Sequence, residues 1–187
     1  METEVKTTVE VPAKFKDIVA GVEKLTLIET HELVKLLEEK CGVSAAAAVV
    51  ASGAYAKAQG KKPLARVVAA AAVGVPPEIM GIGPAPAIRL LLERTGLKLD
   101  DIGRFEINEA QGAQTLAVGR ELGMDLSRLN VNGGAIALGH PLAATGVRLT
   151  LTLAREMVRS NIRYGISSAC VGGGQGIALL IENPLAA

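Results

Sequence analysis

At Ser44 the chain changes its pattern. Before it, apolar residues recur at helical spacing: Phe15, Ile18, Val19, Val22 and Leu25, then Leu33, Leu36, Leu37 and Cys41. After it, short apolar runs alternate with helical ones and are punctuated by Gly and Pro, which is how a layered α/β domain reads. A chain of 187 residues has room for one such domain and a small appendage. The switch therefore predicts an N-terminal helical hairpin over residues 1–43 and an α/β domain over residues 44–187.

The hairpin's second helix has a start signal in "TLIE", where Thr26 and Glu29 can cap each other's backbone N–H groups, and it ends at Gly42. Two helices this short bury too little apolar surface to stand alone, so the segment is expected to dock or dimerise. In the second region strands are predicted at "AAVVAS", "LARVVAAAAV", "RFEIN", "YGISSAC" and "GIALLIE", and helices over residues 55–58, 85–94, 109–122 and 141–159. The last helix is expected to bury Val147, Leu151, Ala154 and Val158 and to turn Arg148, Arg155 and Arg159 to solvent, with Pro141 in its first turn. Aromatic residues make up only 2% of the chain, so the core must be filled by small aliphatic side chains and close backbone approach.

A net charge of +1 and the lack of any basic cluster interleaved with aromatics argue against direct nucleic-acid binding. The longest apolar runs fall short of the roughly 20 residues of a membrane span. "METEVKTTVE" has neither the basic start nor the apolar centre of a signal peptide, so a cytoplasmic location is expected. Cys41 and Cys170 lie far apart in a chain without secretory marks, which disfavours a disulfide. Two histidines and two cysteines, scattered and without metal-ligand spacing, predict no metal site. "MGIGP" lacks the lysine of a phosphate loop and the glycine order of a dinucleotide fingerprint, and reads as a turn entering the helix after Pro84.

Three residues carry candidate chemistry. His140 precedes Pro141 in "GGAIALGHPLAATG", the only titratable side chain of a glycine and alanine tract at a predicted helix N-terminus. Cys170 closes an apolar strand and is followed by "VGGGQG", which puts a thiol at the strand edge where α/β folds bind ligands. Asn108 falls where "RFEI" turns into the next helix; it either caps that helix or presents its amide to a site shared with His140 and Cys170.

Taken in order, "NEA", "GGAIALGHPLAATG" and "CVGGGQG" resemble the C-terminal half of the thiolase family, and the likeness extends over about three quarters of the chain. The resemblance implies a mixed sheet with covering helices and acyl transfer between thiols of coenzyme A thioesters, with no other cofactor. By motif, Cys170 is similar to the family's acid/base. His140 is similar to the residue that activates the nucleophilic cysteine, Asn108 to the asparagine that fixes a water in the oxyanion site, and the N–H of Gly172 to a second oxyanion donor. Met80, Gln111 and Gly139 are implied to border the substrate. Gln111 departs from the aromatic residue usual in "NEAFA", which changes the polarity expected of the acyl pocket. The family's earlier half, with its nucleophilic cysteine, is not recognisable here. The resemblance therefore implies a homo-oligomer or a partner chain that supplies that half. Cys41 in "CGVSAAAAVVA" bears a faint likeness to the nucleophile tract, but the segment from Lys14 to Val50 more closely resembles the N-terminal dimerisation segment of the bacterial ribosomal stalk protein. The whole reads as a fusion joined at "SAAAAVV".

Overall fold

The structure, a computed structural model, describes residues 12–22, 24–25, 29, 33, 36 and 50–186. It divides into two compact units, Met1–Ala47 and Ala48–Ala187. In the first, a 3-10 turn at Ala13–Phe15 runs into helix α1, Lys16–Val22, and residues 29, 33 and 36 are helical. The Thr26 cap, the helix end at Gly42, Cys41 and the start of the strand expected at "AAVVAS" lie outside the described residues. The described end of that run is not a strand. Ser52 instead accepts the Tyr55 N–H on its Oγ at 3.2 Å and caps helix α2, Gly53–Ala58. A small hydroxyl able to hold a free N–H wins over an apolar run too short to pair.

The second unit is built on a four-stranded sheet of β1, Arg66–Gly74, β2, Arg104–Ile107, β3, Tyr164–Val171, and β4, Gln175–Glu182, in the order β1-β4-β3-β2. The β3–β4 hairpin and the β1–β4 pair are antiparallel, whereas β2 and β3 are parallel. A parallel pair needs a long crossover. Here it contains α4, Gly112–Leu122, the short α5, Ala135–Leu138, and α6, Leu142–Arg159. Helix α3, Pro84–Thr95, begins with proline in its first turn and stops at Gly96 in the left-handed conformation, φ 70°.

Helices cover both faces of the sheet. Beneath α3 and α4, Phe105, Ile107, Ile166 and Leu180 of the strands meet Ile88 and Leu91, while Ala71, Ala85, Ala87 and Ala178 let helix and sheet approach closely. This is the core of small aliphatic side chains that the composition calls for. Beneath α6 a smaller cluster joins Leu153, Ala154 and Met157 to Ile181. The buried line of α6 is set off from the expected one: Leu149, Leu153 and Met157 point inward, while Val147 is 46% exposed and Val158 also faces solvent. Arg148, expected outside, is tucked in with only 18% of its side chain exposed, 3.9 Å from the buried Glu106. The buried carboxylate on β2 draws the guanidinium inward, an interaction that no helical periodicity encodes.

Candidate active site

Asn108 follows the last residue of β2 and continues the parallel ladder by donating its N–H to the Ser168 carbonyl at 2.9 Å. Cys170 lies two residues farther along β3, so both stand at the carboxyl edge of the same strand pair. Helix α4 begins only at Gly112, with Gln111 in the cap position. Asn108 is therefore not its cap, and the capping alternative gives way. The residue is 1% exposed, its Nδ2 lies 3.3 Å from His140 Nε2, and its Oδ1 is buried without a hydrogen-bond partner among the described residues.

His140 reaches that position through an unusual stretch of backbone. Helix α5 stops at Gly139, φ 100°, a conformation that a side chain would strain, and Pro141 then leads into α6. His140 Nδ1 lies 2.6 Å from Thr145 Oγ1, and that hydroxyl gives its one hydrogen to the Pro141 carbonyl at 3.0 Å. Thr145 can then only accept, so Nδ1 carries the imidazole proton and Nε2 keeps its lone pair toward the Asn108 amide. An ordered chain results: amide to imidazole to hydroxyl to carbonyl. It leaves one basic nitrogen with a defined direction at the strand edge.

Cys170 is a free, half-buried thiol, and burial pushes its pKa above the ordinary 9.0. At neutral pH it holds its proton. The glycines after it divide into two kinds. A Cβ on Gly176 would sit 2.0 Å from the Gly83 carbonyl oxygen and one on Gly174 2.2 Å from that of Val75, whereas Gly172 faces open space. Two of the cluster thus serve backbone packing, which brings the 3-10 turn Pro77–Ile82 and its half-buried Met80 against the β3–β4 turn. Gln111 is exposed at the start of α4, Gly139 is exposed beside His140, and among the described residues no hydrogen bond joins the side chains of Met80 or Gln111 to Asn108, His140 or Cys170.

Sequence reasoning missed the residues around this trio. Thr145, on the first turn of α6, fixes the tautomer of His140. Glu109 and Asn130 tie the end of β2 to the tract that carries the histidine. Their only signal was an acid directly after Asn108. On the other side of β2, burial raises the Glu106 carboxyl to about 7 against the opposing pull of Arg148. Among the described residues no group of three or more His, Cys, Asp or Glu side chains could hold a metal ion, and no helix is long and apolar enough to cross a membrane.

Comparison with known proteins agrees with the motifs. Residues 61–183 match the family described as thiolase, C-terminal domain, and residues 14–61 match the ribosomal protein L7/L12 dimerisation domain. The chain is 53% identical over 137 residues to an acetyl-CoA acetyltransferase of Pseudomonas aeruginosa, a match that covers 73% of this chain and 35% of the relative. It is 52% identical over 144 residues to the mitochondrial 3-ketoacyl-CoA thiolase of Bos taurus, covering 76% of this chain and 36% of that protein. The crystal structure of human mitochondrial 3-ketoacyl-CoA thiolase superposes with a TM-score of 0.70 at 50% identity, over 71% of this chain and 34% of that one. The chain thus spans about a third of the length of the curated relatives it matches.

Proposed function

The chain belongs to the thiolase family through the C-terminal domain it carries over residues 61–183, and from that premise we propose that this domain supplies the acid/base and oxyanion elements of a coenzyme A thioester acyltransferase. In this reading Cys170 removes the α-proton of an acyl thioester in condensation and returns one in thiolysis, and its raised, protonated thiol suits the second task. His140 takes the proton of a nucleophilic cysteine on Nε2 and then turns that N–H toward the thioester oxygen. The unpartnered Oδ1 of Asn108 accepts from a water directed at the same oxygen, and the Gly172 N–H serves the enolate oxygen. Met80, Gln111 and Gly139 border the acyl group, with Gln111 making that wall polar. The domain uses no cofactor beyond the coenzyme A of its substrate and works in the cytoplasm. The nucleophilic thiol comes from another polypeptide carrying the family's first half, so the chain alone is weak or inactive.

The observation that supports this best is the 3.3 Å contact between Asn108 and His140, residues 32 positions apart that meet beside the strand edge of Cys170. The test is acetoacetyl-CoA formation from acetyl-CoA, with the chain alone and with a separate polypeptide corresponding to the remaining two thirds of the Pseudomonas aeruginosa relative. Turnover is expected only in the mixture, and His140→Ala or Cys170→Ala should abolish it. A mixture without turnover refutes the reading, and turnover by the chain alone that is lost in Cys41→Ser shows the cysteines to be assigned wrongly.

The match to the ribosomal dimerisation domain favours a second reading, in which the N-terminal segment is an association element and the α/β domain its passive cargo. Size-exclusion chromatography of the chain with and without residues 1–43 separates the two. An unchanged oligomeric state after truncation removes the association role.

A further inference from the structure

Glu109 touches neither His140 nor Cys170 in any hydrogen bond, yet it joins the two segments that meet at the site. Its Oε1 accepts from Asn130 Nδ2 at 2.8 Å and its Oε2 accepts from the Ile136 N–H at 3.0 Å, four residues before His140. Asn130 is in turn fixed to β2 from both sides. Its Oδ1 accepts the Ile107 N–H at 2.9 Å, its Nδ2 donates to the Ile107 carbonyl at 2.9 Å, and its own N–H donates to Phe105 O at 2.9 Å. Both amide hydrogens and the amide oxygen are therefore used, so the side chain has no freedom to turn. The fit admits no methyl group on the facing strand of backbone: a Cβ on Gly134 would lie 2.1 Å from the Glu109 carboxyl carbon.

We propose that Glu109 is a positioning residue, whose carboxylate ties the strand end bearing Asn108 to the segment bearing His140 and so holds the imidazole Nε2 against the Asn108 amide. The role rests on the acyl-transfer reading of His140. A carboxylate is needed because two N–H donors converge on it from opposite sides. Glutamine has the same shape but one acceptor oxygen, and its NH2 would face a donor. Space filling alone would be met equally by either residue, so the two explanations part at this substitution.

The experiment records imidazole 15N shifts on the full chain labelled at its two histidines, His31 and His140, with His31→Gln to assign them. In the parent, His140 should show one protonated-type nitrogen, Nδ1, and one lone-pair-type nitrogen, Nε2. Glu109→Gln should leave Nδ1 protonated against Thr145 and move the Nε2 shift as that nitrogen loses its contact with the Asn108 amide. Gly134→Ala, which displaces the carboxylate, should do the same, and in a Glu109→Ala background it should add nothing. Folded variants that keep the parent's two shifts overturn the proposal. Should Glu109→Gln fail to fold, Gly134→Ala decides by the same spectrum. A parent without the separation overturns both this role and the reading of His140, whereas turnover in the reconstituted mixture reports on acyl transfer independently of these spectra.

Discussion

On the face beneath α3 and α4 the sheet buries Phe105, Ile107, Ile166 and Leu180 against aliphatic side chains, while on the face beneath α6 a small apolar cluster shares the ground with Glu106, Arg148, Arg104 and Glu156. The first face can be understood as area removed from water. The second depends on which charges are matched. Glu106 is buried, its Oε2 is 3.9 Å from Arg148 but takes no hydrogen bond among the described residues, and its carboxyl is raised to about 7. For Glu156, burial also disfavours the charge, but hydrogen bonds from Asn132, Ser160 and Arg159 outweigh it and lower the carboxyl to about 2. Two acids on this face, one on β2 and one on α6, are thus shifted in opposite directions, because Glu156 accepts several hydrogen bonds and Glu106 Oε2 accepts none among the described residues.

The sharpest test of the comparison is to open the apolar face. Phe105→Ala should cost about 4 kcal/mol by removing a wholly buried ring, read as a lowered urea midpoint by circular dichroism. Neither Glu106→Gln nor Glu156→Gln on the polar face should match it at pH 5.

Next in size is Glu106. Its folded value lies above the ordinary 4.5, so the protonated form is favoured by folding, and stability falls as pH rises from 4.5 through 7. Glu106→Gln should leave stability unchanged below pH 4.5 and raise it by about 3 kcal/mol at pH 8. Denaturation series at the two pH values check this, and a variant equally or less stable at pH 8 would show that Arg148 compensates the charge in full.

Glu156 should show the reverse slope. Its folded value lies below 4.5, so its contribution is present above pH 4.5 and is lost as pH falls toward 2. Glu156→Gln should cost about 2 kcal/mol at pH 7, with the cost shrinking steadily as pH falls through 4.5 toward 2. A cost independent of pH would mean that shape rather than charge holds Asn132 and Arg159.

The smallest expected effect lies at the strand edge. Thr145→Val keeps the shape of the side chain and removes the acceptor for His140 Nδ1, at about 1 kcal/mol of stability. Its signature is chemical: the proton should shift from Nδ1 toward Nε2 in the 15N spectrum. An unchanged tautomer would show that the Asn108 amide alone sets the ring.

Much of the fold was legible because strands and helices leave local marks. The runs at "RFEIN", "YGISSAC" and "GIALLIE" became β2, β3 and β4, and Pro84 and Gly96 bound α3. The expected inward line of α6 held at Ala154 and failed at Val147 and Val158, because apolar spacing fixes a helical period, whereas the buried arc depends on what the helix meets. Ser52 became a cap through a local contact, its Oγ accepting the N–H of Tyr55 three residues on, a mark that the apolar run before it had masked.

The sequence by itself determined the α/β alternation and the small-residue core, since both follow from residue type and short-range spacing, and its motifs singled out Asn108, His140 and Cys170. Only the tertiary structure decided that Asn108 meets His140, that Thr145 assigns the imidazole proton, and that Arg148 turns inward to Glu106. Hydrogen bonds and charge burial depend on direction and on neighbours tens of residues away, and those relations come into being only when the strands are laid side by side.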